Sequence, residues 1–341
     1  MQRATLKEVA QRAGVHPGTA SRALNAETVD LVKPDTAARI QEAARDLGYV
    51  ANPIARSLKT SRSASIGLVI PDLTNPLFPP IARGMEDVLR TVGYSVWIVN
   101  TDNREDLAKT AVESLRRRSV EGFVFATAHL EDPLLEDLSH SAIPIVLINR
   151  RLASGTILSV TSDDAAGVAM AIELLVEHGH RNIGHLAGPQ DLSTGVARRR
   201  AFSASLEDHG LTALPQHIVA CTAWTEEAGA VGMRELLDAD PSITAVFAGN
   251  DLLALGAYDA LTERGLRCPD DVSVVGFDDL PFMDKVHPPM STVRIPHYEM
   301  GAEAARLLLS LIDDESRHPR SVLMTPTLVP RKSVSVPRGS E

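Results

Sequence analysis

Two hydrophobic rhythms divide this chain. Near its start, apolar residues recur at helical spacing; from Ser65 onward, short unbroken apolar runs alternate with helical stripes. Leu6, Val9, Ala10 and Ala13 fall at i, i+3, i+4 and i+7. Thr5 and Glu8 have capping-box spacing ahead of that stripe. Gly14 suits the left-handed residue just past the helix, and Pro17 the first turn of a second one. There Ala20, Ala23 and Leu24 face inward, which leaves Gly18, Thr19, Ser21, Arg22 and Asn25 outward. A third helix opens at Pro34, repeats the stripe in Ile40, Ala43, Ala44 and Leu47, and ends at Gly48.

Asn52 and Pro53 then make a good N-cap and first helical residue. The segment they open, to Lys59, falls short of the ~12 residues an isolated helix needs in water. It is expected to order only against a partner. A polar, Ser-rich linker follows from Thr60 to Ser65.

The runs SIGLVI, YSVWIV, GFVFA and IPIVLI predict buried parallel strands at 65–70, 94–99, 122–126 and 143–148. After about Thr161 the beat restarts with IGHLAG, ITAVFAG and VSVVGF at 183–188, 243–249 and 272–277. Helices are expected near 164–178, 194–209, 226–237, 251–264 and 298–312. The fold class is therefore an all-α head plus an α/β body of two doubly wound parallel-sheet lobes.

Composition agrees with a globular protein: 44% of residues are apolar and 23% charged. No run approaches a membrane span. The polar N-terminus predicts a protein without a secretory signal, hence cytoplasmic. Cys221 and Cys268 are expected as reduced, semi-buried thiols. The net charge of −10 argues against nucleic acid until it is divided. Residues 1–62 carry ten Lys/Arg against six Asp/Glu, and the remainder twenty-four against thirty-eight. A basic head on an acidic body suits local phosphate binding. The head is then either an ordinary helical hairpin or a helix-turn-helix DNA reader.

In open parallel sheets, ligands bind beyond the carboxyl ends of the strands. Asp72, Asn75, Leu77 and Phe78 follow the first strand, and Asn149 and Arg150 follow IPIVLI. Leu192, Thr194 and Arg198 follow IGHLAG, Trp224 follows the HIVAC segment, Asn250 follows ITAVFAG, and Asp278 follows VSVVGF. Amides, carboxylates, an Arg fork and two aromatic planes suit a small polyhydroxylated ligand, a sugar or nucleoside. Each residue also has a plainer role, as a helix cap, a turn former or core. No G-x-G-x-x-G, phosphate loop or G-x-S-x-G motif is present, so no enzyme constellation and no cofactor are expected. His178, His180 and His185 read as structural histidines rather than a metal site.

Taken together, TLKEVAQRAGVHPGTASRALN, LGYVANPIARSL, IGLVIPDLTNPLFPPIARGMED, GHRNIGHLAGP, AVFAGNDLLALGAYDAL and VSVVGFDDLPFMDKVHPPMSTVRIP resemble the LacI/GalR family of bacterial transcription regulators across the whole chain. The resemblance implies DNA contacts at Thr5, Pro17, Gly18, Thr19, Ser21, Arg22, Asn25 and Asn52. Thr19, Ser21 and Asn25 would hold phosphates. Positions 17, 18 and 22 would face base edges, with Arg22 the bidentate fork for guanine. Leu58 would be a wedge in the minor groove. It implies effector contacts at Asn75, Leu77, Phe78, Asn149, Arg150, Leu192, Thr194, Arg198, Trp224, Asn250 and Asp278. Three positions depart from the family's habit: His16 and Lys33 stand where caps are usual, and Asn149 where Asp is common.

The expected organisation is a head at 1–50, a hinge at 51–64, an N-lobe at 65–161 rejoined by 290–321, a C-lobe at 162–289 rejoined by 322–333, and a tail at 334–341. The resemblance implies a homodimeric repressor on a palindromic operator, switched by a sugar-like ligand between the lobes. No leucine-heptad tail follows Arg331, Lys332 and Ser333, so a dimer is expected rather than a tetramer. The rival readings are a soluble sugar-binding protein and a sugar-processing enzyme on the same scaffold.

Overall fold

The computed structural model describes residues 4–25, 28–49, 63–313 and 320–338. The chain divides into two compact units, Met1–Ser63 and Ala64–Glu341. In the first, α1 (Leu6–Arg12), α2 (Pro17–Ala23) and α3 (Pro34–Asp46) surround a small core. That core is mostly alanine, with Ala10, Ala13, Ala20, Ala23, Ala37, Ala43 and Ala44 around Val9 and Ile40. Small side chains let the three short helices approach closely. The Thr5–Glu8 capping box forms: Glu8 N–H donates to Thr5 Oγ1 at 3.3 Å, and Thr5 N–H to Glu8 Oε2 at 2.7 Å. Gly14, at φ +63°, ends α1 with the paired bonds Val15 N–H to Ala10 O and Gly14 N–H to Gln11 O. Arg39 Nε donates to the Ala13 carbonyl at 3.0 Å, tying α3 to the same turn.

The second unit holds two six-stranded sheets. In the N-lobe the order is β11-β5-β4-β3-β1-β2, with β1 (Ser65–Ile70), β2 (Ser95–Asn100), β3 (Gly122–Phe125), β4 (Ile145–Ile148), β5 (Ser159–Ser162) and β11 (Val322–Met324). All its pairings are parallel. In the C-lobe the order is β12-β10-β9-β8-β6-β7, with β6 (Ile183–Ala187), β7 (Ile218–Ala220), β8 (Ala245–Ala248), β9 (Ser273–Asp278), β10 (Ser291–Arg294) and β12 (Thr327–Val329). Only β12 runs antiparallel to its neighbour. Helices α4 (Phe78–Thr91), α5 (Glu105–Arg117), α6 (Pro133–Ser139) and α11 (His297–Asp313) cover the N-lobe. Helices α7 (Asp164–Glu177), α8 (Ser193–Asp208), α9 (Glu226–Ala239) and α10 (Asp251–Glu263) cover the C-lobe.

Each lobe has one helix pair in backbone contact through glycines. A Cβ on Gly84 of α4 would collide with the Tyr298 carbonyl, and one on Gly301 of α11 with that of Ile81. In the C-lobe, Gly229 of α9 meets the Leu253 carbonyl and Gly256 of α10 that of Glu226. Cys221 is buried and Cys268 half-buried, both free. Burial pushes each thiol up to about 12.

The sequence reading needs two corrections. The run at 94–99 was expected to be a buried strand, but β2 is a sheet edge, with Trp97 46% and Ile98 47% exposed. The returning segments also change lobe later than expected. Strand β10 pairs with β9, so the second crossing lies between Arg294 and His297 rather than near residue 290. Strand β11 pairs with β5, so residues 322–324 belong to the N-lobe and the third crossing lies between Met324 and Thr327. The first crossing, at Asp163, is bonded to the third: Asp163 N–H donates to the Met324 carbonyl at 2.9 Å.

Candidate functional site

In the head, α2 presents its outward residues much as the stripe requires. Ala20 and Ala23 are buried, Pro17 and Arg22 exposed, and Gly18, Thr19, Ser21 and Asn25 half-buried. His16 caps the helix in place of the usual hydroxyl, its Nδ1 accepting from Gly18 N–H at 3.1 Å. Lys33 gives α3 no side-chain cap. Thr5 is occupied in its capping box. Asn52 and Leu58, with the expected hinge helix, lie outside the described residues.

The body places its polar residues at two matched points. In the N-lobe, β1 is flanked by β2 and β3, and in the C-lobe β6 is flanked by β7 and β8. At such a switch the connecting segments diverge and leave a crevice at the strands' carboxyl ends. Arg198, on α8, is 3% exposed and gathers the C-lobe crevice around itself. Its Nε donates to Asp164 Oδ1 at 2.8 Å and its Nη1 to the Gly249 carbonyl at 2.6 Å. The guanidinium lies 3.9 Å over the Phe277 ring and 5.5 Å from the centre of the Trp224 ring. Trp224 in turn lies against Gly188 and Gly249, where any Cβ would strike the indole.

Asp278 closes this cluster at the end of β9. Its Oδ1 sits 3.6 Å from Arg198 Nη1, an ion-pair distance too long for a hydrogen bond, and has no donor among the described residues. Burial pushes its carboxyl up to about 7 against the pull of Arg198. Across the cleft, Asn149 follows β4 at φ +64°. Arg150 beside it is 4% exposed, yet its Nε and Nη1 are buried without a hydrogen-bond partner among the described residues. Burial lowers its guanidinium to about 10, with the charge of Asp191 opposing, so it stays cationic at neutral pH.

Two of the remaining expected contacts take local hydrogen bonds. Asn250 Oδ1 caps α10, accepting from Leu253 N–H at 2.9 Å, and Asn75 Oδ1 accepts from Leu77 N–H at 3.0 Å. Leu77, Phe78, Leu192 and Thr194 are buried. An opening of about 450 Å³ lies between the lobes, lined by Leu130, Arg151 and Ala153 on one side and by Ala165, Ser193 and Arg200 on the other. None of the expected contacts lines it. Two lobe-to-lobe hydrogen bonds flank it: Leu130 N–H to the Asp191 carbonyl at 2.8 Å, and Arg151 N–H to Ser193 Oγ at 3.0 Å.

Sequence reasoning missed two residues here. Asp164 anchors Arg198, and it follows β5, a strand too short and polar to be recognised. His297 follows β10, and its Nε2 is buried without a partner among the described residues. Burial lowers this imidazole to about 4. Both residues follow strand ends, the signal that found the others. The three histidines of EHGHRNIGHLAG are each tied locally. His178 Nδ1 lies 2.7 Å from the Leu174 carbonyl, and His180 Nδ1 lies 2.9 Å from Thr244 Oγ1. His185 Nδ1 lies 2.9 Å from the Phe247 carbonyl, with its ring between Phe202 and Phe247.

Known proteins match both units. Residues 5–52 match the lacI family of bacterial regulatory proteins, and residues 172–334 the periplasmic binding protein-like domain. The ribose operon repressor of Halalkalibacterium halodurans is 34% identical over 309 residues, 91% of this chain and 90% of that protein. Among solved structures, the transcriptional regulator CelR–cellobiose complex is 32% identical, with TM-score 0.75, covering 97% of this chain and all of that one. The lac repressor dimer bound to operator and the anti-inducer ONPF is 26% identical, with TM-score 0.86, covering 98% and 100%. The head's capped helix pair, the paired lobes and these likenesses agree: the chain belongs to the lacI family of bacterial regulatory proteins and is a DNA-binding transcriptional regulator.

Proposed function

We propose that this chain is a homodimeric repressor that binds a palindromic operator and releases or holds it in response to a small polyhydroxylated ligand between its lobes. The observation that carries the ligand reading is a set of buried polar atoms, without partners among the described residues, on side chains that follow strand ends in both lobes: Arg150 Nε and Nη1, Asp278 Oδ1 and His297 Nε2. Buried polar groups are normally satisfied, and an orphan costs about 1–3 kcal/mol. A ligand whose hydroxyls fill these positions would recover that energy in the closed state and not in an open one, which is what couples two states. The solved neighbours complexed with cellobiose and with an anti-inducer support the class.

DNA contact is assigned to the exposed side of α2. Thr19, Ser21 and Asn25, with Thr5, hold phosphates; Pro17 and Gly18 approach the bases without hydrogen-bonding side chains. Arg22 therefore carries the direct readout from this helix, with Asn52 and Leu58 following it in the chain. The exposed edge of β2, with Trp97 and Ile98, and Phe282 at 74% exposure support a surface for a second copy. No helix among the described residues is long and apolar enough to cross a membrane. The regulator relatives support reading the chain as a cytoplasmic protein without enzymatic activity.

Selection of binding sites from a random DNA pool by the full chain tests this. The expected result is a palindrome, with Arg22→Ala relaxing preference at one base pair per half-site by about 1–3 kcal/mol. Uniform weakening on all sequences would make Arg22 a phosphate contact. Selection of no sequence at all would overturn the operator reading.

A further inference from the structure

The front of α2 is bare of hydrogen-bonding side chains. Pro17 carries only its ring and Gly18 has no side chain. What stands there instead is His16, an exposed residue just ahead of the helix. Its Nδ1 accepts from Gly18 N–H at 3.1 Å. A ring nitrogen that accepts carries no proton, so this bond places the proton of the neutral imidazole on Nε2. Nε2, the ring's other nitrogen, has no hydrogen-bond partner among the described residues.

His16 and Gly18 are matched in shape as well. A Cβ at position 18 would lie 3.2 Å from His16 Nδ1 and 3.7 Å from its Cε1. The ring therefore takes the space that a side chain at 18 would use. Imidazole and glycine form one unit, in which a held ring presents a donor where positions 17 and 18 offer none. Holding the ring in the free protein reduces the ordering cost of using it in a complex.

Base edges discriminate such a donor. In the major groove guanine offers two acceptors, N7 and O6, whereas cytosine offers a donor. A helix rises about 1.5 Å per residue, so His16 and Arg22 stand about 9 Å apart along α2 and reach different base pairs.

We propose that His16 is a specificity-determining residue, its Nε2–H donating to a guanine acceptor in the major groove, at a base pair separate from the one Arg22 reads. The proposal rests on α2 being the DNA-reading helix and adds a second reader ahead of it.

The test is selection from a random DNA pool by the full chain, then affinity measurement on single-pair variants of the selected site. Wild type is compared with His16→Ala, His16→Ser and Arg22→Ala. Serine keeps a hydroxyl cap and removes the ring donor. His16→Ser should therefore melt like wild type, while His16→Ala melts lower. Both should lose about three- to tenfold in preference for guanine over cytosine at one pair per half-site. Arg22→Ala should act at another pair. If His16→Ser restores the melting temperature and the wild-type preference together, His16 is only a cap and the proposal is overturned. Equal weakening on every sequence makes it a phosphate contact, which overturns it too. An effect confined to the pair that Arg22→Ala relaxes means that His16 acts through Arg22, and overturns a separate reader. The operator reading survives each of these three results. It fails together with the proposal if wild type selects no sequence.

Discussion

In the C-lobe, Arg198 spends two donors on Asp164 and the Gly249 carbonyl and lies over Phe277. In the N-lobe, Arg150 stands past the end of a strand in an equivalent sheet with two buried nitrogens unpaired. The sheets share a switch-point topology, and each lobe carries one glycine-bridged helix pair. The difference lies in how their polar ends are finished. The C-lobe's cation is compensated within its own lobe, although Asp278 beside it keeps one oxygen unpaired; the N-lobe's cation has only the exposed Asp191 acting on it.

The largest expected effect follows from the compensated arginine. Arg198→Ala leaves Asp164 and Asp278 buried without their cation, and should lower unfolding free energy by about 3–5 kcal/mol. Chemical denaturation measures it. A loss under about 1 kcal/mol would mean that the C-lobe is not held by this cluster.

Next come the glycines, where the lobes are built alike and should respond alike. Gly301→Ala in α11 and Gly256→Ala in α10 each drive a methyl into a facing carbonyl, and each should cost about 1–3 kcal/mol. Very unequal costs would show that one helix pair yields and that the lobes are less equivalent than their topology.

A smaller effect follows from pH and falls more heavily on the C-lobe. Burial lowers His180 and His185 there, and His297 where α11 begins, to about 4. The unfolded chain takes up these protons near pH 6.5 and the folded one does not, so their contribution is full above 6.5 and is lost as pH falls toward 4. Each contributes at most about 1.4 kcal/mol per pH unit in that window. Asp278, raised to about 7, acts in the opposite direction: the unfolded chain releases its proton near pH 4 and the folded one retains it, so stability is lost as pH rises toward 7. Asp278→Asn should therefore steepen the acid loss. At pH 5, amide exchange is expected to rise in β6 and β8 before β1 and β3; equal rise in both lobes would contradict this localisation.

What the sequence revealed follows the same division between period and tertiary contact. Strands β1, β3, β4, β6, β8 and β9 are continuous apolar runs, and their periodicity places them within two residues. The short strands SVTS and STVR, paired on both sides within their sheets, are absent from the sequence reading because their polar residues leave no continuous apolar run. Missing them displaced both later lobe crossings and hid Asp164 and His297, which follow those strands. The apolar run of β2 carried no sign that it lies at an edge. Strand-end position did identify Asn149, Arg150, Asn250 and Asp278. It did not distinguish Asn250, spent as a helix cap, from Arg150 and Asp278, which keep buried atoms unpaired. That distinction depends on partners far away in sequence.

The contrast between the two arginines has one direct test: denaturation of the unliganded full chain carrying Arg150→Met beside wild type. Replacing a buried, uncompensated charge with an apolar side chain of similar length should leave stability unchanged or raise it, opposite in sign to Arg198→Ala. A loss as large as that of Arg198→Ala would mean that Arg150 holds the N-lobe together, and the contrast between a compensated and an uncompensated arginine would be wrong.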